Sequence, residues 1–383
     1  MKNILLVIPT LSFGGCQKVA CETVSLLKEK YNVSIVVFTL EDAKLDPDCR
    51  IVNLNIPPAN SFLKKVIITI KRVIALRRIK KKLGIDISYS FCVSASLVNV
   101  MSRCSDKIII SIHGYSFLPL TFVGRLLWRI VYTKADAILA VSNQIANKLN
   151  SLIHCESKTF CLYNPYDIEE IRNKAEAIPC AGILTPSITS MGRVENIKGF
   201  RHLINSFAIV SKSIPELKLY IVGDGMDTQK LQDYVYELNL VDKVIFLGYQ
   251  DNPFSSISKC SLYILSSISE GLPNALIEAM ICGMPVISTD CKSGPREILN
   301  TKYQEKTTET IEWADFGVLV PPFLSGESDE PKNEGYLADA IICLLTDNDK
   351  YQYYQKQATQ RSLAFSKELH KVKLHEIIAN IAR

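Results

Sequence analysis

Apolar residues recur along the chain in two alternating rhythms. One is the short unbroken run that a strand shows when both faces of its sheet are covered. In the first half strand candidates occupy residues 2–8, 33–38, 85–91, 107–112 and 137–141. The other rhythm is helical spacing between the runs, as at Val19, Thr23, Leu26 and Leu27. A run closed by Pro9, a Gly14-Gly15 turn, a helix and a second run make a βαβ unit. Repetition of that unit predicts a parallel, doubly wound sheet. The rhythm pauses over 164–186, where polar residues and prolines cluster, and a linker is expected there. A second series follows, with strands at 187–191, 217–222, 244–247, 262–265 and 285–288 and helices at 199–211, 228–238, 274–282 and 336–345. Residues 351–383 read as largely helical. The expected organisation is two α/β domains, 1–165 and 166–360, with a final helix, 361–383, returning to the first. Ligands of such sheets bind beyond the carboxyl ends of strands, where strand order reverses, so a cleft between the domains is the expected site.

Composition narrows the class. Hydrophobic residues make up 48% and charged residues 22%, which excludes a disordered chain. No apolar stretch reaches the roughly 18 residues that a membrane-spanning helix needs. The first run is too short for a secretory signal. The 12 cysteines include no C-x-x-C pair, and none of the 5 histidines stands at ligand spacing from a cysteine. That pattern fits reduced thiols in a cytoplasmic protein and argues against zinc.

The net charge of +5 is unevenly spread: residues 1–165 carry 22 Lys and Arg against 10 Asp and Glu, and the remainder carries an acidic excess. The positive half fits anionic lipid, a phosphorylated acceptor or nucleic acid. Residues 61–82 hold nine Lys and Arg and no acid. Leu63, Val66, Ile67, Ile70, Val73 and Ile74 form an apolar stripe there, with Lys64, Lys65, Lys71, Arg72 and Arg78 on the other side. This reads either as a helix lying on a membrane surface or as one whose stripe packs on the protein's own core. No aromatic residues interleave the basic face, which disfavours nucleic acid.

Candidate chemistry concentrates in residues 267–299, SISEGLPNALIEAMICGMPVISTDCKSGPREIL. Glu270 lies in the loop after an apolar run, and Glu278 lies eight residues later on the helix that Pro273-Asn274 opens. Helix N-termini attract anions through free N–H groups, and a carboxylate can accept hydrogen bonds from the vicinal hydroxyls of a ribose. By spacing alone, two glutamates at this separation are usually surface charges. A second motif is Met191-Gly192-Arg193 followed by Lys198-Gly199. A glycine at a strand end admits a phosphate close to the backbone, and the two cations match a diphosphate; the alternative is an ordinary solvated pair. Gly223-Asp224-Gly225 supplies a tight turn, Gly14-Gly15 another. His113 ends the run 107–112, where it either faces a ligand or serves the fold.

Taken together these residues resemble family 4 of the retaining glycosyltransferases, of the bacterial surface-polysaccharide type. The likeness to the family's E-x7-E signature includes Glu270, Gly271, Pro273, Glu278, Ala279 and Gly283-Met284-Pro285-Val286, and residues 293–297, Ser-Gly-Pro-Arg-Glu, resemble a form common in surface-polysaccharide enzymes. It extends over nearly the whole chain and is strongest over 187–299. It implies a GT-B fold: two Rossmann-like doubly wound domains facing across a cleft, the first binding acceptor and the second the nucleotide sugar. It further implies that Arg193 and Lys198 meet the donor diphosphate, Glu270 orients the donor sugar, Glu278 holds the ribose and His113 contacts sugar or acceptor. Gly15, Gly223, Gly225, Leu272, Pro273, Asn274 and Ala275 complete the implied donor site. Cys16-Gln17 departs from the family, where many relatives carry an acidic residue, so only the backbone of that loop is assigned.

The expected activity is transfer of a hexose or N-acetylhexosamine from a nucleotide-diphosphate sugar, UDP-sugar favoured, to a glycan or lipid-diphosphate-linked acceptor, with retention and without metal or other cofactor. The expected location is the cytoplasm, including the inner face of its membrane through 61–82. The alternatives are a sugar-nucleotide epimerase on the same fold and a non-catalytic sugar-nucleotide-binding protein.

Overall fold

The computed structural model describes the whole chain except residues 13, 42, 60, 116–121, 180–181, 303–305, 326–327 and 383, and the side chains of 122–127. Residues 180–181 of the expected linker therefore lie outside the described residues. The chain divides into two compact units: Met1–Pro165 with Lys367–Arg383, and Tyr166–Ser366.

The first unit runs β1 (Asn3–Ile8), α1 (Gly15–Leu27), β2 (Asn32–Val37), β3 (Arg50–Asn53), α2 (Phe62–Leu83), β4 (Ile87–Phe91), α3 (Val93–Met101), β5 (Lys107–Ile112), α4 (Phe122–Lys134), β6 (Ala137–Ala140), α5 (Asn143–Ile153) and β7 (Thr159–Cys161). Its seven strands are parallel in the order β3-β2-β1-β4-β5-β6-β7. Central strands are buried on both faces, which is why they read as unbroken apolar runs: Ile4 to Ile8 are all buried. Ser142 caps α5 by accepting from the Ile145 N–H.

The amphipathic α2 turns part of its basic side inward. Arg72 was expected on an exposed basic face, but it is buried: its guanidinium donates twice to the Ile56 carbonyl and lies 4.2 Å over the Phe38 ring. Lys80 is also buried. It donates to Asp106 at 2.8 Å, and Ser88 donates to the same carboxylate at 2.6 Å. Of the expected apolar stripe only Val73 packs on the core, whereas Leu63, Val66, Ile67, Ile70 and Ile74 are exposed. Two long cations reach specific partners at the core, so the helix needs few apolar residues there.

The second unit begins with α6 (Ile168–Glu176), then β8 (Ser187–Met191), α7 (Phe200–Ser213), β9 (Lys218–Val222), α8 (Thr228–Glu237), β10 (Val244–Gly248), α9 (Phe254–Ile257), β11 (Leu262–Leu265), α10 (Asn274–Ile281), β12 (Val286–Thr289), α11 (Pro295–Leu299), β13 (Glu312–Trp313), β14 (Val318–Val320), α12 (Pro331–Thr346) and α13 (Asn348–Ser362). Helix α6 stands inside the stretch expected as linker. Asp167 caps it, accepting from the Glu170 N–H, and only Ile171 and Ala175 are buried along it, too few to show as a helical pattern. The strand order is β10-β9-β8-β11-β12-β14-β13, parallel except for β13. The last helix, α14 (Lys367–Ile381), belongs to the first unit, where Leu374, Ile377 and Ile378 join the core of β1, β2 and α1. No helix among the described residues is long and apolar enough to cross a membrane.

Each sheet has one point where strand order reverses: beside β1, where β2 and β4 flank it, and beside β8, where β9 and β11 flank it. Loops leaving the carboxyl ends of strands at such a point part to opposite faces and leave a crevice.

Candidate active site

In the second unit the crevice is bounded by the loops that follow β8 and β11. Backbone contacts that only glycine permits build the first of them. Gly223, at φ +129, follows β9, and a Cβ there would stand 2.0 Å from the Gly192 carbonyl oxygen. A Cβ on Gly225 would stand 2.3 Å from the Val194 oxygen. The bare backbones therefore pair: Gly192 N–H donates to Val222 O at 2.9 Å and Val194 N–H to Asp224 O at 3.0 Å. The Asp224 carboxylate closes its own turn, accepting from Gly225 N–H and Thr228 Oγ1, each at 2.7 Å. Both glycines thus support the Gly192–Val194 segment.

The second loop is joined to the first. Ser266 Oγ donates to Lys198 O at 2.9 Å and Ile268 N–H to Ile197 O at 2.9 Å. Lys198 then reaches across, its Nζ donating to Glu270 Oε1 at 2.8 Å, and Ser267 Oγ donates to the same oxygen at 2.6 Å. The Glu270 side chain is only 11% exposed and that of Lys198 26%, so this charge-assisted bond is largely screened from water. The backbone of Glu270 is held from the other side by the loop after β12: its N–H donates to Lys292 O at 2.7 Å and its carbonyl accepts from Ser293 N–H at 2.9 Å. Ser293 Oγ also donates to Gly271 O at 2.7 Å.

Beyond Glu270 the chain enters α10. Leu272 and Pro273 are buried at its start, Ala275 is half-buried, and Asn274 Oδ1 accepts from the Tyr166 hydroxyl at 2.6 Å. Glu278 is buried in the second turn. Arg193 stands apart from the Lys198–Glu270 pair. Its side chain is 61% exposed and donates to Glu195 Oε1 at 3.0 Å. Thus Lys198 and Glu270 are brought together, Gly192, Gly223 and Gly225 support them, and Arg193 is paired with Glu195.

In the first unit, Gly14 and Gly15 lie between β1 and α1, with Gly15 opening the helix. Next to them Cys16 Sγ lies 3.1 Å from Cys92 Sγ at the start of α3, joining the loops after β1 and β4. Each thiol shifts the other: the contact raises the pKa of Cys16 and lowers that of Cys92. His113 follows β5, half-buried, with Nε2 2.8 Å from Ser111 Oγ. Burial, and then the nearby His370, push its pKa to about 4, so it is a neutral imidazole at physiological pH.

Sequence reasoning had not singled out Ser267, Glu195, Cys16 or Cys92 as partners. Ser267 and Glu195 lie close in sequence to the residues they bind, a local signal open to reading. Cys16 and Cys92 are 76 residues apart and carry none.

Residues 185–361 match the family model for glycosyl transferases group 1, and residues 13–170 that for glycosyltransferase family 4. The chain is 27% identical to N-acetylgalactosamine-N,N'-diacetylbacillosaminyl-diphospho-undecaprenol 4-alpha-N-acetylgalactosaminyltransferase of Campylobacter jejuni, over 96% of each chain. It is 25% identical to lipopolysaccharide 1,6-galactosyltransferase of Escherichia coli, over 82% of this chain and 87% of that one. Anabaena HepE, solved with UDP and glucose, superposes with a TM-score of 0.75 over 98% of this chain and 99% of its own at 18% identity, a likeness of fold. The two family models together span most of the sequence, and full-length relatives carry the same class of activity: the chain belongs to family 4 of the glycosyltransferases, enzymes of the GT-B fold.

Proposed function

We propose that this glycosyltransferase moves an N-acetylhexosamine or hexose from a uridine-diphosphate sugar onto a hydroxyl of a glycan carried by a lipid diphosphate, with retention at the anomeric carbon and without a metal. The observation that carries the reading is the Lys198–Glu270 pair, fixed at the strand-order reversal of the second sheet. The Campylobacter relative's name specifies an acceptor on diphospho-undecaprenol, which supports the acceptor class.

The chemistry follows from charge. Transfer separates a sugar from a diphosphate that gains negative charge as it leaves. Lys198 and Arg193 meet that charge with preorganised cations, the term that usually contributes most to such catalysis. In the resting protein each cation sits on a carboxylate. A diphosphate that takes Lys198 releases Glu270 to accept hydrogen bonds from the sugar hydroxyls, so donor binding and sugar orientation are one event. Glu278 takes the ribose hydroxyls, and the N-terminus of α10, with Leu272 to Ala275, lines the donor. Gly15 admits the donor close to its backbone. His113, neutral at physiological pH, contacts a sugar or acceptor hydroxyl as a hydrogen-bonding group and not as a cation.

The test is nucleotide release from UDP-, GDP- and ADP-sugars with and without a short-chain prenyl-diphosphate glycan acceptor, in chelator, followed by assignment of the new linkage by NMR. Acceptor-dependent release of UDP and an α-linked product from an α-linked donor are expected. Acceptor-independent conversion of the donor, or no turnover by a folded protein that binds UDP, would sink the reading.

A further inference from the structure

We propose that the outward side of α2 is a docking surface for an anionic lipid bilayer. The argument is independent of the donor reading; it rests on which residues this helix hides and which it shows. The helix has 22 residues, about 33 Å of length. Its inward sector is accounted for by the buried Arg72, Leu76 and Lys80, with Val73, Ile79 and Leu83 packed beside them. A second sector is apolar and open to solvent: Phe62 is 79% exposed, Leu63 74%, Ile67 and Ile70 each 52%. Val66 and Ile74 extend it, at 44% and 48%. Single exposed apolar side chains are ordinary, but six on one helix face form a contiguous patch of the kind that marks an interaction surface.

The third sector names the occupant. Lys64, Lys71 and Arg78, seven residues apart, form one exposed row beside the apolar patch, Lys82 continues it, and Arg77 and Lys81 are exposed beyond the C-terminal end of the patch. No acid occurs from Phe62 to Leu83. An apolar strip bordered by cations matches a lipid surface, where acyl chains lie beneath a layer of phosphates. A second copy of this chain would set the same cationic row against itself, which opposes self-pairing through this face.

The placement also follows from topology. Because α2 connects the carboxyl end of β3 to the amino end of β4, its N-terminal half lies at the carboxyl edge of the first sheet. Gly14, Gly15 and His113 lie at that same edge. Docking through Phe62 to Ile74 would therefore bring the edge that carries these residues to the lipid surface.

The test is co-sedimentation of the full chain with vesicles of phosphatidylcholine alone or mixed with phosphatidylglycerol. Binding is expected only to the anionic vesicles and falls as salt rises. Replacing Lys64, Lys71 and Arg78 together by alanine should weaken partitioning on the order of a hundredfold, at about fivefold per charge. The pair Leu63→Asp and Ile67→Asp should abolish it. Circular dichroism and turnover on a water-soluble acceptor should stay at wild-type values in both variants. Absence of binding to anionic vesicles, equal binding to neutral ones, or full binding by the aspartate pair overturns the proposal. So does a dimer, measured by light scattering, that the aspartate pair dissolves while no vesicle binding occurs.

Discussion

Replacing Lys80 by methionine should destabilise the first unit by about 3–4 kcal/mol, because it leaves a buried carboxylate without its counter-charge. Lys80 and Asp106 side chains are both 0% exposed. Lys80 Nζ donates to Asp106, to Ser88 Oγ at 3.2 Å and to Asn99 O at 3.1 Å. Burial pushes the Asp106 carboxyl up, and Lys80, Ser88 and the Cys104 N–H outweigh it and hold the carboxyl below its ordinary value. Without Lys80 only two neutral donors remain. The variant can escape by binding a proton, and protonating a carboxyl of ordinary pKa at pH 7 costs about 4 kcal/mol, which bounds the loss. The sign in the variant is thus reversed: Asp106 titrates above its unfolded value in the folded state, so stability is retained at low pH and lost as pH rises. At pH 5 the same escape costs only about 1.5 kcal/mol. The assay is urea unfolding followed by fluorescence. The chain has two tryptophans, Trp128 in the first unit and Trp313 in the second, so a Trp313→Phe background reports the first unit alone. A loss below about 1 kcal/mol at pH 7, or one that does not shrink toward pH 5, would refute the reasoning.

Lys198→Ala should lower the transfer rate on the order of a hundred- to a thousandfold with circular dichroism unchanged; near-normal turnover would remove Lys198 from the mechanism. Gly225→Ala places a Cβ 2.3 Å from the Val194 oxygen. It should displace the Gly192–Val194 loop and reduce turnover on the order of a hundredfold, and a wild-type UDP-induced thermal shift in that variant would contradict it. The histidines of the two units should cost stability in opposite directions, in the first unit as pH falls from about 6.5 to 5 and in the second as pH rises above about 6.5. Burial pushes His113 and His370 to about 4, so the folded first unit resists their protonation and loses about 2 kcal/mol per histidine by pH 5. Burial opposes the charge on His202, but Glu334 and the Ser325 carbonyl outweigh it and raise its pKa. That contribution is full below the unfolded histidine value and is lost as pH rises through the folded one; unfolding read from Trp128 and from Trp313 separately checks both directions.

Legibility followed how locally each feature is specified. Strands β5 and β11 stand where apolar runs placed them, because burial on both faces leaves one reading. Strands β3 and β7 were missed: four and three residues long, with no residue fully buried, they hold little pattern. Helix α2 was legible as a helix but not as to its facing, since an amphipathic stripe looks the same against a core or a membrane. Its orientation is decided by Phe38, Ile56 and Asp106, which lie outside the helix and its stripe. The glycine motifs were legible as tight turns, but their reason was not. Gly223 and Gly225 are required by the backbone of Gly192 to Val194, about thirty residues earlier, and no spacing rule links the two.

The same distinction explains why the site carries its charges in pairs. Lys198 and Glu270 are 72 residues apart and meet only because β8 and β11 are neighbours at the strand-order reversal. Isolated on its loop, either would read as a solvated surface charge. Placed together and mostly shielded, each fixes the other without a ligand, so the folded protein holds both groups in position before substrate arrives. In the proposed reaction the diphosphate competes with Glu270 for Lys198. Binding therefore becomes more favourable when the sugar hydroxyls give the displaced carboxylate new donors, and a free nucleotide that lacks the sugar should gain less from this site than the intact donor does.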